Sequence, residues 1–376
     1  MRIAIDATII RKEITGTGFY IINLLNGLTK IDNLNKYYIF GDKQCLEEFI
    51  KINKKNFIVV NKRFKNRVIR ILWQYFIFPI VLKRKRIDIL HSPNYITPLF
   101  KFGFKIILTV HDLTFLLFPL KYTITKRLLF GKMLPFFIKM SDKIIAVSEN
   151  TKKDILKFFN IPEDKIVVTY ESYPDYYNDS IDASTAKSVV KKYGIEKNFI
   201  LYVGMIEPRK NIISLLKAFS KLDNEIDLDL VIVGKKGWYY EEIERYMENI
   251  KFTELKNKII FTGYVPEEEL KYFYKSAFIF VYPTLYEGFG LPPLQAMACG
   301  TPVITSNISS LPEVVGDAAI KINPDDLGEL KNSIKCLYKN EEKRDKLIKK
   351  GLENAKKFSL ENAALNVLSL YNSLNY

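Results

Sequence analysis

Phe199-Ile200-Leu201-Tyr202-Val203-Gly204-Met205-Ile206-Glu207-Pro208-Arg209-Lys210-Asn211 reads as a buried strand, a tight loop and the start of a helix. Five consecutive apolar residues suit a strand covered on both faces, the glycine ends it, and two cations stand directly before the helix that opens at Asn211. Such a unit belongs to a parallel sheet, and its loop lies on the edge where ligands bind.

Outward from there the pattern repeats. Downstream come strands over 228–234, 258–262, 278–282 and 302–305, separated by helices over 239–250, 267–274 and 291–298, with further helical segments after Asp326, Glu341 and Leu360. Upstream, strands are expected over 2–7, 88–91, 105–110 and 143–147. A loop over Gly16 to Gly18 leads into a helix over 20–28, and helices follow over 126–139 and 150–159, the last capped by Ser148. Residues 170–179 are polar, contain Pro174 and show no period, which marks a linker. The expected fold is therefore α/β: two doubly wound, Rossmann-like parallel-sheet domains, 1–172 and 180–357, facing one another across a cleft.

Composition agrees. At roughly 150 residues per domain, 376 residues make two domains. An apolar share of 48% with 26% charged residues excludes a disordered or collagen-like chain. Cys45, Cys299 and Cys336 are too few and too scattered for a disulfide framework, and an odd count suits a reducing compartment, so the cytosol is expected. Asp6 interrupts the first apolar run, and the longest uncharged apolar stretch, 71–82, falls short of the ~20 residues that span a bilayer.

The net charge of +15 is confined to one segment. Residues 51–150 hold 20 Lys and Arg against 4 Asp and Glu, whereas 151–376, equally rich in lysine, hold 31 against 32. A general bias toward lysine does not explain that asymmetry. Lys62, Arg63, Lys65, Arg67 and Arg70 lead up to and Lys83 to Arg86 follow the apolar stretch. A basic face on anionic lipid, at about 1 kcal/mol per cation, accounts for the pattern, as does a nucleic-acid patch.

The strand-end loops carry the candidate chemistry. Thr15-Gly16-Thr17-Gly18 is half of a dinucleotide fingerprint, but Ile21 stands where a third glycine is needed, so NAD is disfavoured. Two histidines, His91 and His111, both stand at strand ends, and no constellation at ligand spacing accompanies them, so no metal is expected. Arg209 and Lys210 precede a helix N-terminus, a geometry that collects phosphates. In Tyr286-Glu287-Gly288-Phe289-Gly290-Leu291-Pro292-Pro293-Leu294-Gln295, a carboxylate and two glycines lead into a helix opened by proline. Glu287 and Gln295 are placed to address a ligand rich in hydroxyls. A carboxylate at a glycine-flanked strand end has little core to support, so replacing Glu287 is expected to spare the fold.

These residues resemble the family-4 retaining glycosyltransferases of the GT-B architecture, in particular bacterial mannosyltransferase-like members acting in surface polysaccharide assembly. The resemblance runs through Ile5-Asp6-Ala7, Thr15 to Gly18, His91-Ser92-Pro93, 110–115, 148–152, 204–211, Gly234, Gly263-Tyr264-Val265 and 287–302. It implies an acceptor-binding first domain, a donor-binding second domain and a final helix, about 358–376, crossing back to the first. By the same analogy Arg209 and Lys210 contact the donor diphosphate and Glu287 holds donor-sugar hydroxyls. His111 lies near the transferred sugar, Gly16 and Gly18 close over the phosphates, and Gly290, Leu291 and Gln295 complete donor binding.

The expected reaction is retaining, metal-independent transfer of a hexose. The best donor is GDP-mannose, and the acceptor is a glycan or a polyprenyl-diphosphate-linked glycan. The nucleotide-sugar is a co-substrate and no cofactor is implied. The basic segment 51–150 is expected to hold the protein peripherally on the inner, anionic membrane face, without nucleic acid. Another UDP-, dTDP- or GDP-linked donor, or a sugar-nucleotide epimerase of the same architecture, is the alternative. Two positions depart from the family pattern. Gln295 replaces the second glutamate of the usual pair, losing a charge-assisted bond to ribose, and Met205 stands where many members have arginine.

Overall fold

The computed structural model describes residues 1–11, 14, 16–50, 54–118, 124–177, 181–222, 225–237, 240–249 and 254–374. They form two compact units, Met1–Ser172 with Phe358–Tyr376, and Tyr173–Lys357.

The first unit is built on seven strands: β1 (Arg2–Asp6), β2 (Lys36–Gly41), β3 (Phe57–Asn61), β4 (Ile89–Ser92), β5 (Lys105–Val110), β6 (Lys143–Ala146) and β7 (Ile166–Val168). They pair in the order β3-β2-β1-β4-β5-β6-β7, every neighbour parallel. The order reverses between β1 and β4. Apolar residues of both faces pack under helices, as Ile3, Ile5, Ile39 and Ile107 do on one side and Leu108, Val110, Ile144 and Ala146 on another. Near-continuous apolar strands are what a sheet covered on both faces requires.

The second unit holds β8 (Phe199–Val203), β9 (Asp229–Val233), β10 (Ile259–Gly263), β11 (Ile279–Tyr282), β12 (Val303–Ser306) and β13 (Ala319–Ile322). Their order is β10-β9-β8-β11-β12-β13, again parallel. The switch point falls between β8 and β11, so the loops carrying Arg209 and Glu287 leave the sheet side by side.

Several expectations change. Gly16 and Gly18 do not sit in a loop: they form the first turn of the helix Gly16–Ile31, which begins four residues earlier than its apolar period suggests. Polar and glycine residues at a helix start carry no core-facing signal, so periodicity misses them. β2, β3, β7 and β13 were not anticipated, nor was the helix Ala183–Lys191. The helix expected over 239–250 spans Glu241–Asn249, with Tyr239 and Ile250 outside the described residues; Thr15, Asn178 and Asp179 lie outside them too. Ser148 does cap its helix, accepting from the Thr151 amide.

The last helix, Leu360–Ser373, belongs to the first unit. Ala364, Val367, Leu370 and Tyr371 enter the core beside Leu24, Leu25 and Leu28. Gly27 makes that approach possible, because a Cβ there would stand 2.4 Å from the Leu360 carbonyl oxygen. Lys30 pairs with Glu361 at 2.6 Å, and the Tyr371 hydroxyl meets His91 Nδ1 at 2.6 Å. His91 is fully buried and its Nε2 meets Thr109 Oγ1 at 2.8 Å. Burial drives its pKa down to about 3, so this histidine is a neutral clamp on the final helix.

Candidate active site

In the second unit, β8 and β9 end at glycines that nearly touch: a Cβ on Gly234 would stand 1.9 Å from the Gly204 oxygen. The loop after β8 then forms a short 3-10 turn, Pro208–Lys210. Asn211 adopts a left-handed conformation with φ of 55°, and the helix Ile212–Ser220 follows. This turn aims Arg209 and Lys210 at the loop after β11.

There they meet Glu287. Lys210 Nζ donates to Glu287 Oε1 and to the Tyr282 hydroxyl at 2.6 Å. Tyr282 in turn donates to Glu287 Oε1 at 2.9 Å, as does Thr284 Oγ1 at 3.2 Å. Arg209 NH1 approaches the same oxygen at 3.2 Å and donates to the Tyr286 carbonyl at 2.5 Å. Its Nε and NH2 donate to Glu207 Oε1 at 3.0 and 2.7 Å. All these bonds to Glu287 converge on Oε1.

The backbone of Glu287 is fixed as firmly. Its N–H donates to Ser309 Oγ at 3.1 Å, and Ser310 Oγ donates to its carbonyl at 3.0 Å. Gly290 adopts φ of 115°, and a Cβ would strike Leu311 Cδ2 at 2.7 Å, so only glycine suits this turn. Directly after it, the helix Leu291–Ala298 begins with no side chain capping its first amides. Pro292 and Pro293 carry no N–H, so Leu291 and Leu294 supply the backbone donors of this first turn.

Burial would raise the Glu287 pKa, but Arg209 and Lys210 overcome it and hold the carboxyl down at about 2. Burial also pulls Lys210 below its ordinary value, resisted by Glu287. The group is therefore a buried ion pair with Glu287 ionised. The expectation that Glu287 is dispensable for folding is corrected here: its side chain is only 12% exposed and is the counter-charge of a lysine 9% exposed. Removing one partner of a buried pair leaves the other uncompensated.

Gln295 does not join this cluster. Its Oε1 accepts from the Tyr274 hydroxyl at 3.1 Å, and its Nε2 lies 3.4 Å from Glu267 Oε1. Tyr176 and Tyr177 also donate to Glu267, at 3.2 and 2.8 Å. Burial raises the Glu267 pKa.

In the first unit His111 follows β5. Its Nε2 faces the Pro93 carbonyl at 2.9 Å, and its Nδ1 faces Glu171 Oε1 at 2.7 Å. A carbonyl only accepts, and so does an ionised carboxylate, so both ring nitrogens carry protons. Burial would lower the His111 pKa, but the Glu171 carboxylate raises it above its ordinary value. The ring has neither nitrogen free to accept from a ligand. Its backbone carbonyl takes a bond from Thr151 Oγ1 at 3.3 Å and keeps a second lone pair.

Glu207, Glu171, Tyr282, Thr284 and Ser309 escaped the sequence reading. Glu207 was visible as a carboxylate two positions before Arg209, and Tyr282 as the last residue of a strand. Glu171, 60 positions from His111, gave no local signal. Among the described residues no three His, Cys, Asp or Glu side chains group closely enough to hold a metal ion, and no helix is long and apolar enough to cross a membrane.

The chain matches two family descriptions in succession, Glycosyltransferase Family 4 over residues 14–172 and Glycosyl transferases group 1 over 186–354. The O-antigen chain mannosyltransferase B of Escherichia coli is 30% identical over 394 residues, covering all of both chains. The O-antigen chain mannosyltransferase RfbU of Salmonella typhimurium is 32% identical over 228 residues, 61% of this chain and 59% of that one. Among solved structures, a glycosyltransferase from Rickettsia africae superposes with a TM-score of 0.76 at 19% identity, covering 99% of this chain and 98% of the other. Anabaena Alr3699/HepE in complex with UDP-glucose gives 0.75 at 15%, covering 99% and 100%. Two parallel-sheet domains of this kind are the GT-B fold, and the chain is a glycosyltransferase belonging to family 4.

Proposed function

We propose that the protein transfers a hexose, with mannose from GDP-mannose as the first choice, to a glycan or polyprenyl-diphosphate-linked acceptor during surface polysaccharide assembly. The observation that carries this reading is the full-length likeness to an O-antigen chain mannosyltransferase, joined to a strand-end cluster of Arg209 and Lys210 with Glu207 and Glu287.

In the proposed reaction the bond between the sugar C1 and the diphosphate oxygen breaks, and a bond forms from C1 to an acceptor hydroxyl oxygen on the same face. The acceptor proton passes to the departing diphosphate. Positive charge builds on the sugar ring and negative charge on the phosphates, so fixed cations act where charge develops. Arg209, Lys210 and the Leu291 amide take the diphosphate, and Glu287 accepts from sugar hydroxyls. Gln295 and Leu291 hold the nucleoside, and Gly16 and Gly18 let the first turn of their helix approach the phosphates. His111 is the residue of the first unit assigned to the transferred sugar, through its carbonyl oxygen. Front-face transfer, in which the departing diphosphate takes the acceptor proton, is the route proposed for retention.

Paired cations in the phosphate-binding position support a metal-independent reaction. The basic segment 51–150 supports a peripheral position on the anionic, cytoplasmic face of a membrane, where polyprenyl-linked acceptors reside. Thermal-shift titration with GDP-, UDP- and dTDP-sugars, followed by turnover with and without EDTA, tests the reading. Stabilisation by a GDP-sugar and transfer that survives chelation are expected. Loss of transfer restored by Mg²⁺ would overturn metal independence, and stabilisation by another nucleotide alone would overturn the donor.

A further inference from the structure

In the first unit, residues 67–84 are helical throughout: Arg67–Leu72, a π-helical segment Trp73–Ile77, and Phe78–Arg84. One face is core, where Trp73, Phe78 and Leu82 pack with Phe40, Leu90 and Ile106. Gln74 secures that face, its Nε2 donating to Asp6 Oδ2 at 2.5 Å.

The opposite face is apolar too, and open. Val68, Ile69, Leu72, Phe76, Ile77 and Ile80 are between 45 and 62% exposed. Steps of four residues place Val68, Leu72, Phe76 and Ile80 in one stripe about 18 Å long, with Ile69 and Ile77 exposed beside it. The connection between β4 and β5 extends it, with Phe100 6.3 Å from Phe76 between ring centroids and Phe102 under the Lys83 ammonium at 5.3 Å. Both phenylalanines are exposed. A surface helix that met only water would be polar on this face.

Cations frame the stripe. Exposed Lys65 and Arg67 precede it, and exposed Lys83, Arg84 and Arg86 follow. Between 49 and 87 the chain has twelve Lys and Arg and no Asp or Glu. That charge decides what covers the apolar face. A second copy of this chain, packed symmetrically, would bring the same uncompensated cations together. An anionic lipid surface offers hydrocarbon to the stripe and headgroup charge to its flanks.

We infer that the stripe 68–80, with Phe100 and Phe102, inserts into the interfacial layer of an anionic bilayer. This rests on the membrane reading above and deepens it: burial of apolar side chains, which salt does not screen, holds the protein there in addition to charge. The stripe faces away from its own core, so its side chains are available without unfolding.

The test compares wild type with the combined Ile69→Ser, Phe76→Ser and Ile77→Ser variant on phosphatidylglycerol and phosphatidylcholine vesicles, at low and at high salt. Far-ultraviolet circular dichroism and the urea midpoint, compared with wild type, serve as the folding control. Wild type is expected to retain part of its phosphatidylglycerol partitioning at high salt. The variant should lose it by at least about tenfold, as expected when large apolar side chains leave the interface. In a Phe76→Trp variant, emission should shift to the blue and be quenched by lipids brominated on the acyl chains. Equal partitioning of wild type and triple variant would overturn insertion and leave the electrostatic reading standing. No vesicle binding by either would overturn both readings, and a dimer in solution abolished by the substitutions would make a second copy the occupant.

Discussion

Lys210 and Glu287 stand 77 positions apart in sequence, yet the ammonium of one meets Oε1 of the other in a buried ion pair. Arg209 completes it from one side and Tyr282 from another. With Glu207 on Arg209, two cations face two carboxylates and the local charges cancel. In the proposed reaction an arriving diphosphate competes with carboxylates that already hold these cations.

Glu287→Gln should therefore act in three ways. Turnover falls by about 10²-fold, an order typical of losing one transition-state contact. Stability falls by about 3–5 kcal/mol, because Lys210 is left buried without its counter-charge. Affinity for a free nucleoside diphosphate rises, because a competing carboxylate is gone. Steady-state kinetics, urea titration and calorimetry separate these effects. In the Lys210→Met, Glu287→Leu double variant stability should return without activity, since two apolar groups can replace a buried pair.

Acid tests the same pair. Glu287 has its pKa held down to about 2 in the folded protein, from an ordinary value of 4.5. Its contribution to stability is thus complete above about pH 4.5 and is lost as pH falls toward 2. Urea midpoints measured from about pH 6 down to 3 should drop more steeply for wild type than for Glu287→Gln. Parallel curves would show that the carboxyl is not perturbed.

The ligand edge of the second unit was legible because strand, glycine loop and helix follow one another within thirteen residues, from Phe199 to Asn211. Glu287 was legible for the same reason. What stayed hidden were partners set by tertiary packing: Glu171 on His111 and Glu267 beside Gln295. Gly16 and Gly18 misled in the other direction, because paired glycines read as a turn until the helix is seen to begin among them. β2 was missed although Tyr37, Tyr38, Ile39 and Phe40 are all buried. Its apolar run is only four residues long, too short to be told from a buried helix segment by periodicity alone.

Glu171→Gln should lower the pKa of His111. The wild-type value is raised by the carboxylate, so the pair stabilises the fold below pH 6.5 and loses that contribution as pH rises through the raised value. With only two histidines in the chain, imidazole ¹⁵N spectra resolve the titration directly. His111 should titrate above 6.5 and fall in the variant. His91, held down at about 3, should stay neutral in both. Unchanged His111 titration would contradict the doubly protonated ring. His111→Ala should cut kcat while leaving nucleoside diphosphate affinity within a few fold.

Gly27→Ala should loosen the final helix. A methyl group there collides with the Leu360 carbonyl and with Ala364 Cβ, at 2.4 and 2.8 Å, and overpacking of this kind costs about 1–3 kcal/mol. Limited proteolysis should release the C-terminal helix from the variant faster than from wild type. Equal rates would show that the two helices yield without loss.

The most direct measurement is the anomeric configuration of the product. The purified protein, supplied with GDP-α-mannose and a polyprenyl-diphosphate-linked glycan, should form a mannoside whose one-bond C1–H1 coupling reports the α configuration of the donor. A β-linked product, or a mannosyl group trapped covalently on the protein, would contradict front-face transfer by the Arg209, Lys210 and Glu287 site.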